Sequence, residues 1–220
     1  MKTMKQLDCL YELSTLGRKI GIVDVGVGNI QSIFGSLRRL GIIPNKVTDP
    51  ADLLGISHLF IPGVGNMREL MTRYKHLRLD EGLRGFAQDG YILGICLGFQ
   101  VLYQYSEENQ GECLGLLEGK VVPFSHFGKT STNVGRFTVQ AIDTYNSDIV
   151  GSKDASVQYY FTHSYCVPVG QSSTHVLQAG LSIPITAACN HGNVFGVQFH
   201  PELSHASGRS VLRNFLSLSN

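Results

Sequence analysis

The chain carries almost no net charge: +1 over 220 residues, with 18 Lys and Arg against 17 Asp and Glu. That balance leaves no basic footprint for nucleic acid or for an anionic membrane surface. Long apolar runs are also missing, and none approaches the roughly 20 residues that a membrane-spanning helix needs. Met1 to Lys19 interleave their apolar positions with Lys2, Lys5, Asp8, Glu12 and Arg18, so the apolar core of a secretion signal is absent. A cytoplasmic location is expected. Cysteine is sparse: Cys9, Cys96, Cys113, Cys166 and Cys189 are an odd number without CxxC spacing. This argues against a disulfide framework and against structural zinc. Most of these cysteines should behave as small buried hydrophobes, which leaves room for one reactive thiol. No internal repeat, low-complexity stretch or linker divides the sequence. At 43% hydrophobic and 16% charged, it has enough apolar residue to fill the core of one α/β domain.

The periodicity alternates in the first half. Lys19 to Val25 is a β-branched strand, and Ile30, Ile33, Phe34, Leu37 and Leu40 repeat at helical spacing between a cap at Asn29 and a stop at Gly41. A strand from His58 to Ile61 ends in Pro62-Gly63-Val64-Gly65. Helices are expected over Met67–His76 and, more weakly, Glu81–Gln88. Tyr91 to Ile95 is a third strand, leading through Cys96 into a helix expected over Leu97–Tyr105. Strand and helix in alternation predict an α/β fold with a mostly parallel sheet. The second half changes character. Lys120–Phe124, Arg136–Ile142, Val157–Phe161, Tyr165–Val169, His175–Ala179, Ile185–Ala188 and Val194–Phe199 are short strand-like runs, expected to form a partly antiparallel region. Val211, Leu212, Phe215 and Leu216 mark a closing helix.

Two stretches carry chemistry. Gly94-Ile95-Cys96-Leu97-Gly98 has the form of a nucleophile elbow with sulfur in place of oxygen. A cysteine between a buried strand and a helix lies beside the unpaired N–H groups and positive dipole end of that helix, which favour the thiolate. The Leu97 N–H would then face the oxyanion of a tetrahedral intermediate. The loop Gly63-Val64-Gly65 is the candidate for the second oxyanion donor, because parallel strands bring such loops together at their carboxyl ends. His200-Pro201-Glu202 supplies the remaining parts. Pro201 biases His200 to an extended conformation, where residues two apart face one side, so Glu202 can support the imidazole. A strand-end cysteine or a single histidine is commonly inert. Both together, each following an expected strand, point to acyl transfer through a thioester.

Other motifs fall short. Gly26-Val27-Gly28 opens like a dinucleotide fingerprint, but position 31 is Gln. Gly128-Lys129-Thr130 lacks the leading glycine of a phosphate loop, position 123 being Pro. His200, Glu202 and His205 follow a strand rather than lying on a helix, so no metal site is expected there. No cofactor is called for.

Taken together, Pro62-Gly63-Val64-Gly65, Gly94 to Gln100, Ser106-Glu107-Glu108, His163-Ser164-Tyr165 and Gly196 to Glu202 resemble the class I (triad) glutamine amidotransferases. Asp24 to Asn29 and Asn214-Phe215-Leu216 narrow the resemblance to the glutaminase subunit of imidazole glycerol phosphate synthase. The resemblance begins near Lys19. It implies a glutaminase domain over 19–220, residues 1–18 being an N-terminal extension. It also implies a three-layer fold with helices on both faces of the sheet. In such a protein Cys96 attacks the side-chain amide of L-glutamine, His200 moves the protons and Glu202 assists. Val64 and Leu97 would form the oxyanion hole. Gly63, Gly65, Gln100, Glu108, Ser164 and Tyr165 would hold the substrate. The resemblance implies a heterodimer in which ammonia passes to a (β/α)8 cyclase of histidine biosynthesis.

The departures are local. The subfamily usually carries Pro-His-Met-Gly-Trp-Asn where this chain reads Thr132-Asn133-Val134-Gly135-Arg136-Phe137, and the chain has no Trp at all. After His-Pro-Glu the subfamily usually has Lys, and here Leu203 stands. Such segments contact the synthase or couple to it. They raise an alternative: a paralogous glutaminase supplying ammonia to another synthase, such as one modifying a surface-polysaccharide sugar. A non-catalytic binding protein on the same fold is disfavoured by the intact Cys96, His200 and Glu202.

Overall fold

The computed structural model describes residues 19–27, 30–128, 132–141, 149–150, 157–170, 175–178 and 183–219. The expected extension 1–18, the expected cap Asn29, and the strand ends Ile142 and Ala179 lie outside these residues. In chain order the regular elements are β1 (Lys19–Val23), α1 (Ile30–Arg39), β2 (Asn45–Val47), β3 (Ile56–Gly63), α2 (Met67–His76), α3 (Leu79–Phe86), β4 (Tyr91–Cys96), α4 (Leu97–Gln100), β5 (Tyr103–Ser106), β6 (Gly111–Glu112) and β7 (Leu117–Pro123). The second half adds β8 (Asn133–Ala141), β9 (Gln158–His163), β10 (Tyr165–Cys166), β11 (His175–Gln178), β12 (Thr186–His191), β13 (Val194–Val197) and α5 (His205–Leu216). Among the described residues, no helix is long and apolar enough to cross a membrane.

The main sheet has nine strands in the order β2-β1-β3-β4-β13-β12-β11-β8-β9. From β2 to β13 every neighbour is parallel, as the alternating first half predicts. From β13 to β9 the pairings are antiparallel, as the run of short strands predicts. A smaller sheet, β10-β7-β5-β6, lies beside it.

Strands buried on both faces should be continuously apolar, and alternate residues should enter opposite cores. β3 does this. Leu59 and Ile61 join Met67, Leu70, Tyr74 and Leu83 of α2 and α3 on one side. Phe60 joins Ile33 and Leu37 of α1 and Phe215 of α5 on the other. β4 alternates in the same sense, with Ile92 on the first side and Leu93 and Ile95 on the second. The result is three layers, helices over both faces of one sheet.

One expected element is replaced. The helix over Leu97–Tyr105 stops at Gln100 and gives way to strand β5. The carbonyls of Val101, Leu102 and Tyr103 accept from Leu114, Leu116 and Gly115 instead of from a following helical turn. The tyrosines at 103 and 105 favour the pleated surface that results. Expected bounds also move: the helix over Glu81–Gln88 is α3, Tyr165–Val169 shortens to β10, Val194–Phe199 shortens to β13, and the strand from His58 to Ile61 lengthens to β3.

The junction of β3, β4 and α4 places the cysteine. Gly63 pairs in register with Cys96, so the loop after β3 and the elbow after β4 emerge side by side. The approach is too close for side chains. A Cβ on Gly98 would overlap the Ile61 carbonyl, and one on Gly63 would stand 2.7 Å from the Gly98 nitrogen. Backbone cannot yield as a flexible side chain can. Gly98→Ala is therefore expected to lose about 3 kcal/mol of folding stability. Gly85→Ala in α3, where a Cβ meets nothing within 4 Å, should gain about 0.5–1 kcal/mol. Urea unfolding of the two variants checks the contrast, and equal midpoints would contradict it.

Candidate active site

Cys96 ends β4 with φ 55° and ψ −110°, a conformation that side chains rarely adopt. This is the strained strand-to-helix turn that the glycine pattern predicts. The turn aims the thiol at β9, where Cys96 Sγ lies 3.8 Å from the Thr162 carbonyl. Cys113 and Cys166, by contrast, are held inert: burial pushes both thiols up to about 12. Cys189 is buried against the Tyr103 hydroxyl.

His200 follows β13 and is fixed through its backbone. Its N–H donates to Tyr160 of β9 at 2.8 Å, and its carbonyl accepts from Ser204 Oγ at 2.6 Å. Its Nδ1 meets Glu202 Oε1 at 2.8 Å, and both side chains are more than nine-tenths buried. Burial alone would push the imidazole pKa down. The contacts with Cys96 and Glu202 outweigh that and hold it at about 10. His200 Nε2 makes no hydrogen bond of ordinary geometry, so its approach to Cys96 is looser than a formed bond. Catalytic contacts of this kind commonly tighten only when substrate binds.

A cavity of about 340 Å³ opens on Cys96. Eight of the residues singled out in the sequence line it: Val64, Gly65, Cys96, Leu97, Gln100, Glu108, Ser164 and Tyr165. Gly63, His200 and Glu202 are not part of the lining; Gly63 is packed against Leu97 and Gly98. Glu108 accepts from the Met67 N–H at 3.2 Å. Desolvation raises its pKa, and that hydrogen bond partly offsets the rise. Ser164 Oγ meets Thr132 Oγ1 at 2.9 Å at the cavity rim. Gln100 is less available than expected, because its Nε2 already donates to the Tyr165 carbonyl and to Gln198 Oε1, each at 2.9 Å.

Four site residues escape the sequence reading: Thr132, Thr162, His163 and Gln198. His163 and Gln198 lie inside the motifs that carry the resemblance; His163 closes β9, whose burial alternates, and Gln198 directly follows β13. His163 is a second buried histidine with the opposite electrostatics. Asn133 Nδ2 can only donate, so the 3.0 Å contact makes His163 Nε2 an acceptor. Nδ1–H then donates to the Tyr165 carbonyl at 2.7 Å. Burial pushes this imidazole down to about 4, the Tyr165 carbonyl opposes the fall, and His200 adds to it. The site therefore brings together a thiol, a cationic imidazole held by a carboxylate, and a neutral imidazole in the cavity wall. A set of this chemistry is capable of cleaving an amide through a thioester.

The family profile "Glutamine amidotransferase class-I" matches residues 21–218. The chain is 36% identical over 200 residues to imidazole glycerol phosphate synthase subunit HisH of Yersinia pseudotuberculosis, covering 90% of this chain and 98% of that one. The HisH protein of Escherichia coli K12 is 35% identical over 198 residues, with the same coverage of 90% and 98%. Among solved structures, PurLQS from Thermotoga maritima superposes with a TM-score of 0.66 at 20% identity, covering 91% of this chain and 98% of that one. A second structure, titled a glutamine amidotransferase, gives a TM-score of 0.61 at 19% identity, covering 90% and 98%. These two structures share the fold.

Two titrations follow. The folded state raises His200 from its ordinary 6.5 to about 10, so its stabilising contribution is complete below pH 6.5 and lost as pH rises through 10. Glu202→Gln weakens the interaction that raises the imidazole while leaving it buried. The His200 ring should then lose its proton at lower pH, and unfolding stability should depend less on pH between 6.5 and 10. An unchanged ring titration by nitrogen-15 NMR would contradict this. Asn133→Asp replaces a donor by an acceptor at His163 Nε2. It should raise the His163 pKa above its value of about 4, read in the same spectra.

Proposed function

Because the chain belongs to the class-I glutamine amidotransferases, we propose that it is the glutaminase subunit of an imidazole glycerol phosphate synthase in histidine biosynthesis. The carrying observation is Cys96 at a strained elbow, facing a cavity and backed by the buried His200–Glu202 pair. The identity to HisH subunits over nine-tenths of the chain favours this synthase over another ammonia acceptor.

In the proposed mechanism, L-glutamine enters with its side-chain amide at Cys96 and its charged end toward Glu108 and Ser164. The Cys96 thiolate attacks the amide carbon. Charge that develops on the oxygen meets the N–H groups of Val64 and Leu97. The His200 imidazolium gives its proton to the departing nitrogen, ammonia leaves, and the acyl group remains on sulfur. Water then attacks the thioester. The now neutral His200 takes a proton from it, and collapse of the intermediate expels the thiolate and releases glutamate. Glu202 keeps the imidazole oriented and stabilises its charged form throughout. Gly63 and Gly65 shape the loop, Gln100 and Tyr165 the floor. No cofactor takes part.

Ammonia made in this way needs an acceptor. The reading includes a (β/α)8 cyclase as the partner in a cytoplasmic heterodimer. The altered block finds support within the chain. Asn133 fixes the His163 tautomer, and Arg136 donates to the Leu203 carbonyl at 2.8 Å.

Co-purification of the native partner, followed by assay of glutamate release with its acceptor substrate present, tests the proposal. Cys96→Ala is expected to lose glutaminase activity about 10⁴-fold or more. The complex should still form product from free ammonium. Glutamine-dependent product from the Cys96→Ala complex would overturn the assignment. So would failure of the wild-type gene to rescue a strain lacking the histidine-pathway glutaminase.

A further inference from the structure

Beside the thiol runs a buried chain of amides. Gln100 Nε2 donates to the Tyr165 carbonyl and to Gln198 Oε1, both at 2.9 Å. That second bond settles which end of Gln198 faces which way: its oxygen is held by Gln100, and its Nε2 points at Cys96 Sγ, 3.8 Å away. Gln198 is completely buried and Gln100 nearly so. The sulfur therefore sits between two polar groups of opposite kind. The Thr162 carbonyl at 3.8 Å accepts only, and suits the thiol. The Gln198 amide donates and suits the thiolate, because a hydrogen bond to an ionised group is the stronger kind.

We propose that Gln198 is a further catalytic residue, donating a hydrogen bond to the Cys96 thiolate, and that Gln100 is a positioning residue that aims it. Deprotonation of Cys96 exchanges the Thr162 acceptor for the Gln198 donor without any backbone movement. The orientation of Gln198 is inherited from Gln100, and that of Gln100 from the Tyr165 carbonyl, which also holds His163. The proposal rests on Cys96 being the nucleophile. It assigns Gln100 a role at the sulfur in addition to any contact with substrate.

The test reads the thiolate directly. The rate of Cys96 alkylation by iodoacetamide is followed against pH in wild type, Gln198→Met and Gln198→Glu. Met keeps the volume without a donor, and Glu keeps an acceptor for Gln100 while placing charge beside sulfur. The titratable groups around the sulfur are His200 with Glu202 behind it, His163, and Glu108 in the cavity wall, and none of these is altered. Loss of the donor should move the alkylation midpoint up by about one pH unit in Gln198→Met and further in Gln198→Glu. Alkylation at neutral pH should slow about tenfold. Turnover of glutamine should fall in kcat with KM little changed. Gln100→Met should shift the midpoint in the same direction by less; a rise in KM alone would confine Gln100 to substrate binding and remove it from the proposal. A measurement on the wild type needs no variant to fold: the side-chain amide resonance of Gln198 should move with the titration of Cys96. A fixed amide resonance, or an alkylation profile unchanged in both folded Gln198 variants, would overturn the role of Gln198. Wild-type Cys96 alkylating no faster than Cys113 would instead overturn the assignment of the nucleophile.

Discussion

The structure depends on a backbone that turns too sharply at Cys96 for an ordinary residue. A positive φ at a non-glycine residue costs on the order of 1–3 kcal/mol, and it survives only where the surroundings leave no alternative. Here the surroundings are backbone. β4 is paired on one side with β3 and on the other with β13, so its path is fixed up to the elbow. Gly98 then lies against the Ile61 carbonyl, and Gly94 against that of Gly98. The strand cannot shift and the short helix cannot retreat, so the strain has nowhere to relax. The thiol is left pointing off the carboxyl edge of the sheet into a cavity. The same pairing sets Gly63 beside Cys96, which brings the loop of Val64 and Gly65 to the cavity wall.

Around that fixed sulfur, the protein solves two histidine problems in opposite ways. Burial disfavours the charged form of both imidazoles. At His200 a carboxylate at 2.8 Å and the neighbouring cysteine reverse the effect. At His163 the partners are an amide nitrogen and a carbonyl oxygen, which satisfy the neutral ring and one tautomer of it. The outcome is one cation and one neutral ring beside the same cavity. The neutral ring avoids a like-charge repulsion that would lower the pKa of His200.

Much of this is legible in residue order. Continuous apolar runs at Leu59–Ile61 and Ile92–Ile95 mark strands covered on both faces, and the glycines flanking Cys96 mark the elbow. His200 and Glu202 are legible as a pair because Pro201 restricts the backbone between them. The failures have physical causes. Leu97, Val101, Leu102 and Tyr105 keep helical spacing, yet β5 forms because carbonyls 101 to 103 find partners at 114 to 116, a pairing no local window contains. Gln198 lies two residues before His200, within the same motif. Its importance lies in which end of its amide faces sulfur, and that is fixed by Gln100, 98 positions away. The role of His163 is hidden in residue order, because its tautomer is set by Asn133 on another strand.

Asn133 and Arg136 stand where the subfamily usually has His and Trp, and each makes a contact at the site. An amide at 133 supplies the donor that His163 Nε2 accepts, so a neutral His163 needs no second imidazole. Arg136 reaches from β8 to the Leu203 carbonyl, immediately after the carboxylate that holds His200. β8 is thus tied to both histidines, to His163 through Asn133 and to the His200–Glu202 turn through Arg136. Over Asn133–Thr138 β8 also pairs with β9, which carries Thr162 against the sulfur and Tyr160 against the His200 backbone. A displacement of β8 would act on the thiol, the imidazole and the carboxylate together. The altered block thus meets the site through the orientation of the groups it touches, His163 and the turn after Glu202.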